Sequence, residues 1–325
     1  MPLSKRTSPE QIEERVCLAV QAWLRLRPGS CEPGGITLLK DTSRSTVCRI
    51  EGVGPGGSGI VAKRCPRADG ELEAFIYSEV LDRLSMGSVR CYGFIDEGAG
   101  EHGWLFLEDG GFTQVADKGE SFPIPFAHWL ALLHGSASNL PIRGRLPERG
   151  PAWYLETLRA ARLGLCQSLP ERNWGDLDRS AAERILVCFE ILERNWHLVE
   201  ERCESLPWTL VHCDLQPKNV LIRHSASGIA FLPLDWEDAG WGAPATDLAR
   251  IDAASYWSTA RRTWASIELR RVEEQVCCGV LFQILSAVGW EMVRLAGGSE
   301  EKAMRRLRTC APQLTASTQA LGLEV

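Results

Sequence analysis

Leu210-Val211-His212-Cys213-Asp214-Leu215-Gln216-Pro217-Lys218-Asn219-Val220-Leu221-Ile222 is the stretch that decides how this chain reads. Asp214 comes two residues after His212, and Asn219 five residues after Asp214, directly before an apolar strand signal. Sixteen residues past Asn219 stands Asp235, in Leu234-Asp235-Trp236-Glu237-Asp238. Val220–Arg223 and Ile229–Leu234 read as a hairpin that brings Asp235 back to face Asn219. Such a set suits phosphoryl transfer, which needs one carboxylate at the attacking hydroxyl. It also needs an amide oxygen and a second carboxylate to hold magnesium against a triphosphate. Asp214 is then the candidate catalytic group, and Asn219 and Asp235 are candidate metal ligands. The competing reading is that Asp214 and Asn219 are ordinary turn formers and Asp235 an ordinary strand end. His212 reads as structural, its ring bonded to loop backbone.

Outward from that stretch, the chain changes character twice. Ser8-Pro9-Glu10-Gln11 predicts a helix start with Ser8 as N-cap, and Ile12, Val16, Val20 and Trp23 fall on one helical face. Short strands are predicted at Ile36–Lys40, Thr46–Glu51 and Ile60–Arg64. The glycine-rich 52–59 stretch reads as a flexible hairpin tip, since it lacks the Gly-Lys-Ser/Thr ending of a phosphate loop. A helix follows over Glu71–Leu84, then a hairpin of Val89–Asp96 and Trp104–Glu108. Helices are predicted over 124–137, 151–168, 178–204, 245–260, 264–296 and 300–309. Residues 139–151, rich in Pro, Gly and Arg, read as a loop.

Composition narrows the class. The 325 residues are 45% hydrophobic and 24% charged, enough to bury a sizeable core. A net charge of -6 argues against a general nucleic-acid binder. Twelve cysteines without a Cys-x-x-Cys pair predict reduced, mostly buried thiols. The six histidines do not fall at ligand spacing near cysteine pairs, so zinc is poorly supported. The longest apolar run, Val276 to Trp290, is short of the ~20 residues of a membrane span. No apolar core marks a signal peptide at the N-terminus. A cytoplasmic protein with no nucleic-acid or membrane partner is expected.

The whole pattern resembles the aminoglycoside phosphotransferase and choline kinase-like superfamily, relatives of protein kinases. The resemblance covers roughly 36–250 and is strongest at 210–250. It implies an α+β, bilobal protein-kinase-like fold with a small β-rich N-lobe over 1–108 and a larger, mainly helical C-lobe over 109–325. Val61-Ala62-Lys63 resembles the strand lysine that pairs nucleotide phosphates, its ammonium expected in a solvated position. Glu73 resembles its glutamate partner. Trp104-Leu105-Phe106-Leu107-Glu108-Asp109-Gly110 resembles the hinge, where backbone groups of Leu107 and Asp109 would meet the nucleobase. Leu133-His134 resembles the end of the helix after the hinge. Asp247-Leu248-Ala249 resembles the family's Asp-Leu-Ala, with Asp247 a helix cap and a brace for the catalytic loop.

The chain also departs from that pattern. The turn Asp41-Thr42-Ser43-Arg44-Ser45-Thr46 has no glycine, so Ser43, Arg44, Ser45 and Thr46 would have to meet the phosphates. Cys213, Gln216 and Lys218 replace residues common in relatives, and Lys218 would face either a phosphate or solvent. No Ala-Pro-Glu segment follows Trp236, which argues for a small-molecule acceptor. Near Asp235 in sequence, Trp236, Trp241, Tyr256 and Trp257 could cage a quaternary ammonium. Glu237, Asp238 and Asp252 could instead bind a polyamine, or form a solvated acidic face. The expectation is a magnesium-dependent O-phosphotransferase using ATP or GTP on a small hydroxylated molecule, with an aminoglycoside-like or other antibiotic favoured. A choline, sugar or amino-alcohol kinase is the alternative, and a catalytically silent binding protein of the same fold stands behind both.

Overall fold

The computed structural model describes residues 9–42, 44–84, 86–98, 100–110, 113–114, 121–171, 174–225 and 228–325. Ser8, expected as an N-cap, and Ser43, expected at the phosphates, lie outside the described residues. Helix α1 (Pro9–Leu26) precedes strands β1 (Gly35–Asp41), β2 (Thr46–Glu51) and β3 (Ile60–Pro66). Helix α2 (Arg67–Phe75) runs into a π-helical turn, Ile76–Leu81, before β4 (Cys91–Asp96), β5 (His102–Glu108) and β6 (Thr113–Gln114). Helices α3 (Ile124–Ala137), α4 (Pro151–Glu171), α5 (Asp176–Arg194) and α6 (Trp196–Cys203) follow. After β7 (Thr209–Val211) come β8 (Val220–Ser225), β9 (Gly228–Pro233) and β10 (Gly240–Gly242). The chain ends with α7 (Ala245–Leu248), α8 (Ala253–Ala260), α9 (Leu269–Ala296) and α10 (Glu300–Ala320).

These elements form two compact units. A sheet unit contains Pro2–Lys118 and Asp214–Asp238, and a helical unit contains Gly119–Cys213 and Ala239–Val325. The segment with Asp214, Asn219 and Asp235 therefore groups with the sheet, although helical-unit residues flank it in sequence.

In the sheet unit, β1 to β5 make one antiparallel sheet in the order β1-β2-β3-β5-β4. Strand β2 alternates buried Thr46, Cys48 and Ile50 with more open Val47 and Arg49, the period-two pattern of a strand. On one face, Ile50, Ile60, Ala62 and Phe106 pack with Ala19, Ala22 and Trp23 of α1. Lys63 follows Ala62 and so points to the opposite face, which carries α2. The glycine-rich stretch is a hairpin tip between β2 and β3, closed by Gly54 N–H donating to Ser58 O at 2.9 Å. Gly56 and Gly57 there have φ of 67° and 79°, values that favour glycine. Strands β8 and β9 pair from Val220↔Pro233 to Ser225↔Gly228, the hairpin expected from the sequence.

The helical unit packs α4, α5, α9 and α10 around one core. At its centre Tyr154 and Phe282 stack with ring centroids 3.8 Å apart. Burying a ring such as that of Phe282 contributes about 1.5–3 kcal/mol. Buried Gln275 of α9 accepts from Ala245 N–H at 2.8 Å and donates to Cys203 O at 3.1 Å, tying three helices together.

Several predicted helices needed correction. The 178–204 helix breaks at Asn195, whose side-chain amide donates to Ile191 O at 2.8 Å and closes α5. The 245–260 helix breaks before Asp252, which caps α8 by accepting from Ser255 N–H at 2.8 Å. Helix α10 runs through Pro312 to Ala320 instead of ending at 309. Thr209–Val211, for which no element is predicted, is a short strand paired with β10. Helix α9 is 28 residues long, and by length and composition it could cross a membrane. Its Cys278, Leu281, Phe282, Leu285 and Val288 lie in the helical core.

Candidate active site

The sheet unit brings the sequence-predicted charged residues together. Lys63 Nζ lies 2.5 Å from Glu73 Oε1, 2.5 Å from Asp235 Oδ1 and 3.1 Å from Glu237 Oε2. Strand β3 supplies the lysine and α2 the glutamate. The segment after β9 supplies the other two carboxylates. Lys63 is only 5% exposed, so the expected solvated position is corrected: the ammonium is buried against acids. Burial opposes its charge, but Glu73, Asp235 and Glu237 together outweigh that and raise its pKa above the ordinary value. Burial pushes the Glu73 carboxyl up to about 7, against the pull of Lys63 and helped by Asp235 and Glu237.

Asp214 and Asn219 form the second part. The Asn219 side-chain amide donates to Asp214 Oδ2 and to Asp214 O, both at 2.9 Å. With both amide protons engaged, Oδ1 is the atom Asn219 can offer a cation. Gln216 Nε2 donates to Asp214 Oδ1 at 2.5 Å. Nothing in the sequence signals this positioning contact of Gln216. Lys218 is 3.9 Å from Asp214 Oδ2, with a side chain 62% exposed.

Two non-glycine residues with positive φ among those described are Cys213, at 67°, and Asp235, at 62°. Left-handed backbone is costly for such residues and persists where the surroundings impose it. One immediately precedes Asp214, and the other is the candidate metal ligand itself.

Within the helical unit, Asp247 imposes the first of these. Its Oδ2 accepts from His212 N–H at 2.8 Å, and its Oδ1 accepts from Cys213 N–H at 3.0 Å. His134 Nε2 lies 3.3 Å from the same carboxylate, and His134 Nδ1 lies 2.9 Å from the Tyr256 hydroxyl. An acceptor-only carboxylate makes Nε2 the protonated nitrogen and Nδ1 the acceptor from Tyr256. The brace expected of Asp247 has this geometry. The expected cap does not, since Asp247 lies inside α7 and Pro244 is its N-cap.

Residues 36–275 match the phosphotransferase enzyme family. The chain belongs to that family. It is a phosphotransferase with an alcohol group as acceptor, acting on a small molecule. Its fold is the bilobal, protein-kinase-like one of several solved structures. The GDP and kanamycin complex of the aminoglycoside phosphotransferase APH(2")-IIia is 13% identical at a TM-score of 0.62, over 91% of this chain and 98% of that one. Spectinomycin phosphotransferase, with ADP and spectinomycin, is 10% identical at 0.60, over 94% and 98%. An ethanolamine kinase of Plasmodium vivax is 15% identical at 0.56, over 98% and 95%. No curated protein sequence matches the chain.

The phosphotransferase places its other predicted site residues less simply. In the glycine-free turn, Arg44 pairs with Asp69 at 3.0 Å and extends over the start of α2. Ser45 and Thr46 are buried, and the Thr46 hydroxyl donates to Asp41 at 2.8 Å, so it is turned into the turn itself. Leu107 is held inside the sheet between Val61 and Cys91, and Glu108 N–H donates to Arg90 O at 2.8 Å. Asp109 pairs with Arg49 at 2.6 Å.

Among the acceptor candidates, Glu237 is corrected by its contact with Lys63: it belongs with Glu73 and Asp235 around that ammonium. The Asp-x-Glu spacing of Asp235 and Glu237, across the short turn Trp236–Asp238, was the signal for that. Asp238 lies beside it and adds to the negative field that holds Arg44 charged. Trp236 and Tyr256 are fully buried and Trp241 is 6% exposed, so these rings are core, not cage. Trp257 donates to Ile267 O at 3.0 Å, and the Arg261 guanidinium covers its ring at 4.7 Å.

Proposed function

We propose that this phosphotransferase moves the γ-phosphate of ATP or GTP to a hydroxyl of an aminoglycoside-like or other antibiotic, with magnesium. The observation that carries the reading is the double amide contact of Asn219 on Asp214, beside the Lys63, Glu73 and Asp235 cluster. Asn219 Oδ1 and the Asp235 carboxylate are hard oxygen donors and fit magnesium. They are the residues that would hold it, and a bound ion supplies charge neutralisation at the phosphates. Lys63 binds phosphate oxygens as a point charge held in place by Glu73. Asp214, fixed by Gln216 and Asn219, accepts the proton of the acceptor hydroxyl. Arg44 of the glycine-free turn bounds the phosphates, and backbone of Asp109, just past the end of β5, meets the nucleobase. Residues 1–108 would serve the nucleotide and 109–325 the acceptor, in the cytoplasm.

Likeness to structures that hold kanamycin or spectinomycin supports an antibiotic acceptor. The burial of Trp236, Trp241 and Tyr256 weighs against the aromatic cage that choline would need. An amino alcohol remains the second reading, supported by likeness to ethanolamine kinase. The test is a susceptibility screen of bacteria expressing the chain, followed by mass spectrometry of the protected drug. A phosphate adduct on a drug hydroxyl is expected. Adducts confined to amino alcohols would replace the first reading with the second.

A further inference from the structure

We propose that Arg15, on α1 and outside the family-matched segment, is a positioning residue for the glycine-free turn between β1 and β2. The inference rests on the reading above, in which that turn meets nucleotide phosphates.

The sequence makes the turn an odd one. A glycine-rich loop brings backbone N–H groups to phosphates by having no side chains in the way. Here six residues, Asp41 to Thr46, do without glycine. Inside the turn, Thr42 Oγ1 accepts from Ser45 N–H at 3.0 Å and donates to Ser45 O at 3.0 Å, while Thr42 N–H donates to the same carbonyl at 2.9 Å. Thr42 thus fixes the short arc of the turn.

Its two ends are fixed from outside. Asp41 and Thr46 are register partners across β1 and β2. Arg15 Nη1 donates to Asp41 Oδ1 at 2.5 Å and to Thr46 Oγ1 at 3.0 Å, and Thr46 Oγ1 donates to Asp41 Oδ1 at 2.8 Å. The three groups close a triangle at the base of the turn. Asp41 has a side chain 12% exposed and Arg15 one 30% exposed, so water competes weakly for the contact. Arg15 precedes Ala19, Ala22 and Trp23 at helical spacing, and those three are packed against the sheet. The helix is thereby a fixed post, and Arg15 is the arm that carries its rigidity to the turn.

The rigidity replaces what glycines would supply by freedom. A turn held at its base and stitched by Thr42 presents Arg44, which pairs with Asp69. Loss of the Arg15 contacts would let the base of the turn open. Triphosphate binding would then fall while nucleoside binding, which needs only the hinge, would not.

The test compares dissociation constants of Mg-ATP and Mg-GTP with those of adenosine and guanosine by calorimetry. Arg15→Met keeps the aliphatic stem and removes the charge. It is expected to weaken the bound triphosphate roughly tenfold, with nucleoside affinity and melting temperature near the parent's. Arg15→Lys should recover part of the loss. Thr46→Val breaks the triangle without touching the helix and should weaken triphosphate binding in the same selective way, whether or not Arg15→Met folds. Unchanged triphosphate affinity in a folded Arg15→Met protein and in Thr46→Val overturns the inference and leaves the proposed function standing. Equal weakening of nucleoside and triphosphate also overturns it, because the role is then general. A parent protein that binds no triphosphate overturns both.

Discussion

Asn219 donates both protons of its side-chain amide to Asp214, one to the carboxylate and one to the main-chain carbonyl, each at 2.9 Å. The candidate base and the candidate metal ligand are thus a single tied piece, six residues long. The carboxylate is aimed by Asn219 and by Gln216.

Asp214→Asn keeps the size of the side chain and removes its charge. Turnover is expected to fall by about two to four orders of magnitude, the range of a general-base contribution. Nucleotide affinity should stay within a few-fold of the parent, because the role given to Asp214 does not touch the metal. Activity near the parent level would strip Asp214 of that role. Lost nucleotide binding would make it a metal ligand.

Lys63→Met removes the ammonium that faces Glu73, Asp235 and Glu237, so it is expected to abolish turnover and also to lower stability. The second effect depends on pH. Burial already holds the Glu73 carboxyl near about 7, above its ordinary 4.5, and loss of Lys63 raises it further. A folded-state pKa above the unfolded one gives stability that is full below the unfolded value and is lost as pH rises through the folded one. The melting-temperature deficit of the variant should therefore be small near pH 5 and grow through neutrality, toward about 3 kcal/mol or more once the buried acid must ionise unpaired. A deficit that shrinks with rising pH would contradict the burial of Glu73 beside Lys63.

Asp247→Asn leaves one oxygen where two N–H groups now donate, at a position 2% exposed. Each buried donor without a partner costs about 1–3 kcal/mol, so a lower melting temperature is expected. Turnover should fall as well, because Cys213 holds its positive φ next to Asp214 only while its N–H is tied. A variant that melts and turns over like the parent would remove Asp247 as the brace.

Much of this site is legible in the sequence because its parts are local or ordered. Asp214 and Asn219 sit in one loop, a hairpin of predictable length returns Asp235, and Lys63 and Glu73 lie ten residues apart on one strand and the helix that follows it. The breaks at Asn195 and before Asp252 were not legible, since apolar periodicity continues through both and a single side-chain cap decides each end. Tyr256, Trp236 and Trp241 looked like a ligand set because they are close in sequence, and burial, which spacing does not report, takes them into the core. The ion pair of Glu237 is not local either: its partner, Lys63, lies 174 residues away. Arg15 had no signal at all: its partners are 26 and 31 residues further on.

The most direct test of the account is a thermal-shift titration of the parent protein and Asp235→Ala with ATP and GTP, each with and without magnesium. A ligand that binds only the folded state at about 100 times its Kd adds roughly 2.7 kcal/mol of stability. The account predicts a clear rise in the parent's melting temperature with at least one nucleotide, most of it dependent on magnesium, and loss of the magnesium-dependent part in Asp235→Ala. No shift with either nucleotide would contradict it, and so would a magnesium-dependent shift that survives in Asp235→Ala.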